Sequence, residues 1–276
     1  MTTYPDLAGK RIVVTGVSSG IGRATVDALT ESAALVVGLD IREPIDSPVS
    51  EFHRLDLGNE SEVMAVAGKI AGPIHALCNV AGIPGIFPAE RVLAVNVLGL
   101  RALTEALLAK IERGGAVVNV ASCAGAGWRL RYREIRDLLA SRDMAAGLEW
   151  ARSHPRTDAD AYDFGKEAVV VYTKLLASNA ARERGVRVNS VSPGAVETPI
   201  LADFYTSMDD GLLDMIKDFC GRNAQPADIA SAVVFLASDA SAWVNGLDLQ
   251  IDGGGEAAFE VGALKHELHP TWSENR

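Results

Sequence analysis

Tyr162 and Lys166 stand four residues apart, a spacing that puts both on one face of a helix. An ammonium beside a phenol stabilises the phenolate and draws its pKa toward the working range. Tyr162 would then take a proton from an alcohol or return one to a carbonyl. Alone the pair is weak, because roughly one such spacing per two chains of this size arises by chance at average composition. Ser122, just past the apolar run Ala116–Val120, adds a hydroxyl that could hold the reacting oxygen. A serine after a strand is otherwise a simple turn former.

A second constellation lies near the N-terminus. The run Thr15-Gly16-Val17-Ser18-Ser19-Gly20-Ile21-Gly22 follows Ile12-Val13-Val14 and reads as strand, glycine turn, helix start. Gly16 permits a tight turn, Gly20 lets the backbone approach a pyrophosphate, and Gly22 lets helix and strand pack closely. The amides at the helix start and its positive dipole end favour a diphosphate, with Ser18, Ser19 and Ile21 in the same loop. The bland reading is a glycine-rich turn, but three glycines in fixed places point to a dinucleotide. Asp40 ends Val37-Gly38-Leu39-Asp40, about twenty residues past that loop, where an acid can accept hydrogen bonds from an adenosine ribose. Its carboxylate would repel a 2′-phosphate, and the loop holds no Lys or Arg, so NAD is expected over NADP. Arg42 is the dissenting residue, and Ile41 between them is assigned to the same cofactor contact.

Positioning these groups requires strands that end at one edge. Short β-rich runs occur at Ile12–Val14, Leu35–Leu39, Phe52–Leu55, Ile74–Cys78, Ala116–Val120, Val186–Val191 and Leu247–Ile251. Helical segments at Ile21–Ser32, Glu60–Ile70, Leu98–Glu112, Ala161–Arg184 and Pro226–Ala237 separate them. The alternation predicts an α/β fold of the Rossmann type, a doubly wound parallel sheet of seven strands with ligands beyond the strands' carboxyl ends. One domain over residues 1–276 is expected, with a helical insertion at about 124–160 and a C-terminal extension at about 256–276.

In the insertion, Trp128, Tyr132, Ile135 and Leu139 fall near one helical face, and Met144, Leu148 and Ala151 suggest a second short helix. Arg129, Arg131, Arg133 and Arg136 read either as a solvated face or as a site for an acidic substrate or partner.

Composition narrows the function class. The chain is 48% hydrophobic, enough for a buried parallel sheet, and its formal net charge is −10. That balance argues against a nucleic-acid surface or attraction to anionic lipid. Cys78, Cys123 and Cys220 are too few and scattered for a disulfide framework or a zinc site, so no metal is expected. Residues 1–10 hold no apolar signal core and no run approaches a membrane span, so a soluble cytoplasmic protein is expected.

Together these elements resemble the short-chain dehydrogenase/reductase family over nearly the whole chain. In order they are the Thr15–Gly22 run, Asp56-Leu57, Asn79-Val80-Ala81-Gly82, Asn96, Ser122, Tyr162-xxx-Lys166, Asn189–Gly194, Thr198 and Asp252-Gly253-Gly254. The resemblance implies Tyr162 as general acid/base, Lys166 as its tuner and nicotinamide-ribose holder, and Ser122 as orienter of the substrate oxygen. Asn96 would help hold a water-linked proton relay. It also implies adenine contacts at Asp56 and Leu57, adenosine-ribose contacts along Asn79, Ala81 and Gly82, and a nicotinamide cradle of Pro193, Gly194, Val196 and Thr198. Family members are usually dimers or tetramers, so a homo-oligomer is expected.

Two departures stand out. Val80 replaces a usual asparagine, and Ser122 lies forty residues before Tyr162 where about a dozen is usual. The long spacing, with Cys78–Gly85, Val95–Leu100 and a Trp-containing insertion, is similar to bacterial coniferyl-alcohol dehydrogenases. Gly38–Arg42 and Pro193–Pro199 resemble bacterial 3α-hydroxysteroid dehydrogenases, which carry a comparable insertion. Both imply a bulky apolar alcohol or carbonyl substrate, an aryl-allylic alcohol first and a 3α-hydroxysteroid as the alternative. A cofactor-binding regulator that has lost the reaction is the third reading, disfavoured because Ser122, Tyr162 and Lys166 are all kept. Pro84, Trp128 and Phe204 are the expected substrate contacts, with Gly85-Ile86-Phe87 and Ile200–Met208 as neighbouring walls. The segment around Phe204 and Tyr205 could act as a lid, with a break expected at Asp209-Asp210-Gly211.

Overall fold

The computed structural model describes residues 3–207 and 210–266. Seven strands form one parallel sheet in the order β3-β2-β1-β4-β5-β6-β7. They are β1 Arg11–Thr15, β2 Leu35–Asp40, β3 Glu51–Arg54, β4 Ile74–Asn79, β5 Ile111–Val120, β6 Arg187–Pro193 and β7 Asp248–Ile251. Strand order reverses between β1 and β4, which opens a crevice beyond their carboxyl ends. β4 and β6 are buried along their whole length, because helices cover both faces of the sheet.

The two-residue period of a strand decides which core each side chain joins. Ile12, Val14, Ala116 and Val118 pack with Val26 and Leu29 of α1 (Gly20–Glu31) and Ile229 and Val233 of α10 (Pro226–Ala237). Val13, Val37, Leu77 and Val117 face the other way, against Val63 of α2 (Glu60–Lys69) and Leu103 of α4 (Leu100–Leu108). α7 (Asp158–Arg184) closes the same layer through Ala177 and Ala180.

α7 begins three residues before the expected Ala161 because Thr157 caps it, its Oγ1 accepting from the Asp160 amide at 3.2 Å. Asp158 and Asp160 in its first turn and Arg182 and Arg184 in its last suit the helix dipole. The expected helix over Leu98–Glu112 is corrected. The segment starts as α3 (Ala89–Leu93), widens into a π-helical turn at Ala94–Gly99, and continues as α4 only to Leu108. Ile111 then pairs with Ile74, so the residues assigned to the helix end open β5 instead.

The insertion holds a 3-10 turn (Cys123–Arg129), α5 (Tyr132–Leu139) and α6 (Met144–Ser153). Ile135 and Leu138 are buried while Tyr132 is exposed, a different face from the one expected. Trp128 sits in the 3-10 turn, whose tighter winding breaks the phase of the helix that follows.

After β6 come α8 (Leu201–Ser207) and α9 (Asp210–Cys220). Met208 and Asp209 lie outside the described residues, and Gly211 is already helical. α11 (Gly255–Glu260) opens the C-terminal segment. Residues 267–276 of the expected extension lie outside the described residues.

Candidate active site

The carboxyl ends of the central strands open onto one cleft of about 710 Å³. At its floor the chain turns from β1 into α1. Gly16 there has φ +78°, a left-handed conformation that glycine adopts freely. A Cβ on Gly22 would sit 2.0 Å from the Gly16 carbonyl oxygen, so only glycine lets the helix start against the turn. Ser19 makes no side-chain cap and the first turn of α1 holds no acid. Ser19, Gly20 and Ile21 therefore present bare backbone to the cleft beside Ser18, where amides and dipole suit a diphosphate.

Thr15 ties this floor to the next strand, its Oγ1 accepting from the amides of Val80 at 2.9 Å and Ala81 at 3.0 Å. Asp40 lies on the rim at the end of β2. Its Oδ2 accepts from the Ser18 amide at 3.0 Å and the Ser18 hydroxyl at 2.8 Å, and its Oδ1 from the Arg42 amide at 3.0 Å. Ile41, Arg42, Leu57, Ala81 and Gly82 line the cleft beside it. Asp56 is held from an unforeseen quarter: Arg91 Nη2 donates to both its oxygens at 2.8 and 2.9 Å. The two residues are 35 positions apart, and no local pattern announces the pair.

Two expected residues fall behind the wall. Asn79 is not a cleft residue. Its side chain is buried, donating to Thr104 Oγ1 at 2.9 Å and Asn119 Oδ1 at 2.8 Å. A residue at a strand's last position can point to either face, and here Asn79 joins polar groups on α4 and β5. Asn96, in the π-helical turn, clamps the chain after β4, with Oδ1 accepting from Ile83 N and Nδ2 donating to Ile83 O, each at 2.9 Å. It stands behind Gly82, where a Cβ would lie 3.3 Å from Asn96 Oδ1 and 3.5 Å from Lys166 Nζ.

Tyr162 and Lys166 share the cleft-facing side of α7, 7% and 5% exposed. Lys166 Nζ donates to the Val120 carbonyl at 3.0 Å and lies 5.6 Å from the Tyr162 ring centroid. Ser122, after β5, lines the cleft with Tyr162, its Oγ accepting from the Ala124 amide at 3.2 Å. Burial pulls the Lys166 ammonium down to about 8. The expectation of a lowered phenol pKa is reversed in the protein alone. Burial pushes the Tyr162 hydroxyl well above its ordinary value, Ser122 opposing and Asp163 and Cys123 adding to the rise. One apolar surrounding penalises both charges, so the cation that should stabilise a phenolate itself loses its proton more readily than an exposed lysine.

Pro193, Gly194, Val196 and Thr198 form the opposite wall. Pro84, Phe87, Phe204, Leu213 and Phe259 supply apolar surface near Tyr162. Trp128 does not line the cleft. It packs beside Lys174 and Arg129, with their cationic groups 5.7 and 4.5 Å from its ring, and edge-on to Tyr132. Tyr205 turns aside to donate to Asp214 Oδ1 at 3.0 Å. Arg131 takes the place foreseen for Trp128, alongside Asp163 and Glu167 of α7. The arginine cluster thus divides: Arg131 reaches the cleft, while Arg133 and Arg136 are solvent-exposed.

Among the described residues no cluster of His, Cys, Asp and Glu is arranged to hold a metal ion. No described helix is long and apolar enough to cross a membrane.

The family model described as short chain dehydrogenase matches residues 10–131, and that described as enoyl-(acyl carrier protein) reductase matches residues 150–256. The stretch between the two matches falls within the insertion. The chain is 35% identical over 249 residues to coniferyl-alcohol dehydrogenase from a Pseudomonas species, covering 90% of this chain and 97% of that one. It is 34% identical to 2,5-dichloro-2,5-cyclohexadiene-1,4-diol dehydrogenase from Sphingobium indicum, covering 90% and 98%. The crystal structure of a 3-alpha-hydroxysteroid dehydrogenase from Pseudomonas sp. B-0831, complexed with NADH, superposes with a TM-score of 0.74. That neighbour is 28% identical, with 93% of this chain and 100% of that chain covered.

Proposed function

The chain belongs to the short-chain dehydrogenase family, and from that premise we propose that it is an NAD-dependent dehydrogenase of a bulky apolar alcohol, most specifically an aryl-allylic alcohol of the coniferyl type. One observation carries the reading. Ser122, Tyr162 and Lys166 meet in a cleft whose far rim ends at Asp40 and whose near wall holds Pro84, Phe87 and Phe204. Likeness to coniferyl-alcohol dehydrogenase over most of both chains supports the substrate class.

The residues present fit a nicotinamide dinucleotide. The bare turn at Gly16–Gly22 and the uncapped start of α1 would hold its diphosphate. Asp40 would accept from the adenosine ribose, and its charge disfavours a 2′-phosphate. Ile41, Asp56, Leu57, Ala81 and Gly82 would flank the adenosine, and Lys166, Pro193, Gly194, Val196 and Thr198 the nicotinamide end. When bound, that group supplies the acceptor or donor of hydride.

The protein's own part is position and proton. The Ser122 hydroxyl holds the substrate oxygen, and Tyr162 takes the alcohol proton in oxidation or returns it in reduction. Lys166, when charged, steadies the deprotonated Tyr162. Asn96 positions the chain around Ile83 and stands beside Lys166, where it serves a proton path. Aromatic and aliphatic side chains exclude water from the reacting carbon.

The test is the initial rate of NADH formation with coniferyl and cinnamyl alcohols, a 3α-hydroxysteroid and a simple secondary alcohol, each with NAD and with NADP. Preference for the phenylpropanoids with NAD supports the reading. Preference for the steroid moves the activity to that class, which likeness to the steroid enzyme favours as the second reading.

A further inference from the structure

Beside Tyr162 the cleft wall changes from apolar to charged. Arg131 from the insertion and Asp163 and Glu167 from α7 all line it. Asp163 and Glu167 are four residues apart and so share a helix face. Arg131 is committed: its Nε lies 2.7 Å from Glu167 Oε2, its Nη1 meets Asp160, and its guanidinium stands 5.5 Å from the Phe164 ring centroid. Asp163 is not. Its half-buried carboxylate makes no hydrogen bond or ion pair with any described residue.

A half-buried carboxylate without a protein donor is costly, because burial removes part of its water shell and no described side chain replaces it. The local balance leaves one acceptor in surplus, since Arg131, the arginine beside it, is taken by two other carboxylates. An anionic substrate group would be repelled there, and an apolar one would leave the carboxylate unsatisfied. A neutral hydrogen-bond donor completes it. Burial, with Asp160 and Glu167 adding to it against the pull of Arg131, holds the Asp163 carboxyl up to about 7, and a hydrogen bond donated to it by a ligand would favour the ionised form.

Neighbours on a helix leave it about 100° apart. The Asp163 carboxylate therefore meets the cleft at a different place from the Tyr162 hydroxyl, and a substrate group it receives is not the one that reacts. We propose that Asp163 is a specificity-determining residue, receiving a hydroxyl group on the substrate away from the reacting carbon. The inference rests on the alcohol-dehydrogenase reading of this cleft, and for an aryl-allylic alcohol the group received is a phenolic hydroxyl on the ring.

The experiment uses the NADH-loaded protein, which binds alcohols without reacting. Calorimetric titration with 4-hydroxycinnamyl alcohol and with cinnamyl alcohol is run on the wild type, Asp163→Asn and Asp163→Ala. The wild type should bind the hydroxylated alcohol about tenfold more tightly, a ratio typical of one buried polar contact. Asp163→Ala should lose that ratio with cinnamyl alcohol affinity within about twofold. Asp163→Asn, which keeps shape and an acceptor oxygen, should retain part of it. Equal affinities for the wild type, a parallel loss of both alcohols in Asp163→Ala, or binding of neither overturns the assignment. Oxidation of cinnamyl alcohol by the wild type with NAD is read separately. A protein that oxidises it without any hydroxyl preference refutes the role of Asp163 and leaves the dehydrogenase reading standing.

Discussion

The rings of Tyr162 and Phe204 meet edge-on, their centroids 5.1 Å apart and their planes at 63°. The contact joins α8, which follows β6, to the helix that carries the proposed proton donor. An edge-on aromatic pair contributes about 0.5–1.5 kcal/mol beyond its area. Phe204→Ala should therefore lower kcat/KM for an aryl alcohol about three- to tenfold, chiefly through KM. Steady-state rates paired with NADH fluorescence titration check this. A matching loss of NADH affinity would show that Phe204 supports the cofactor rather than the substrate.

Tyr162→Phe keeps the ring and its contact with Phe204 and removes only the hydroxyl. Turnover should fall by about 10²–10⁴, the range for a lost general acid/base. The dissociation constant for NADH should change less than about twofold, since the glycine turn and β2 rim that would hold it are untouched. Near-normal turnover in this variant would remove Tyr162 as the acid/base.

Asp40 is held by three donors from Ser18 and Arg42, so its charge stays fixed at the rim. Asp40→Ser should cut the NAD:NADP ratio of kcat/KM by at least about tenfold, since the repelling carboxylate is gone and the exposed Arg42 side chain remains to meet a 2′-phosphate. An unchanged ratio would place cofactor choice elsewhere in the cleft.

Lys166 links the site to stability. Its pKa falls from 10.5 when exposed to about 8 in the fold. Between those values the unfolded chain binds more protons than the native protein, so the native state gains stability as pH rises. Lys166→Met lacks that gain. Its stability relative to the wild type should be greatest at and below about pH 7 and shrink from about pH 8 to 10, by at most about 1.4 kcal/mol per unit. Urea midpoints of the cofactor-free proteins give the difference. A gap that does not change with pH would mean that Lys166 keeps an ordinary pKa in the fold.

What could be read from the sequence follows how local each signal is. The turn at Gly16–Gly22 is legible because a missing Cβ is a backbone requirement, and the Cβ test at Gly22 shows why no other residue fits. The sheet is legible because buried parallel strands are nearly continuous apolar runs. The π-helical turn at Ala94–Gly99 has no such signature, since its side chains are as apolar as a regular helix's. Arg91 could not be assigned to Asp56, because their pairing depends on where α3 lies in space. Trp128 looked like a wall because an aromatic residue in an insertion reads alike whether it lines a cleft or packs under one. Asp163 drew no notice, as the position between a tyrosine and a lysine spaced by four carries no pattern of its own.

The insertion also has a bearing on how this chain can be altered. Arg131 pairs with Asp160 and Glu167, and Arg156 pairs with Asp160 and Glu134 while standing 3.8 Å from the Phe164 ring centroid. These two arginines supply the counter-charge for Asp160 and Glu167 on the first three turns of α7. Trimming the insertion to a short connection would strand Asp160, Asp163 and Glu167 within two turns of one another, next to the tyrosine and lysine proposed to do the chemistry. The insertion is therefore not an ornament that can be grafted on or cut away. It and the acidic face of α7 form one electrostatic unit, and any redesign or transplant of this cleft has to move both together.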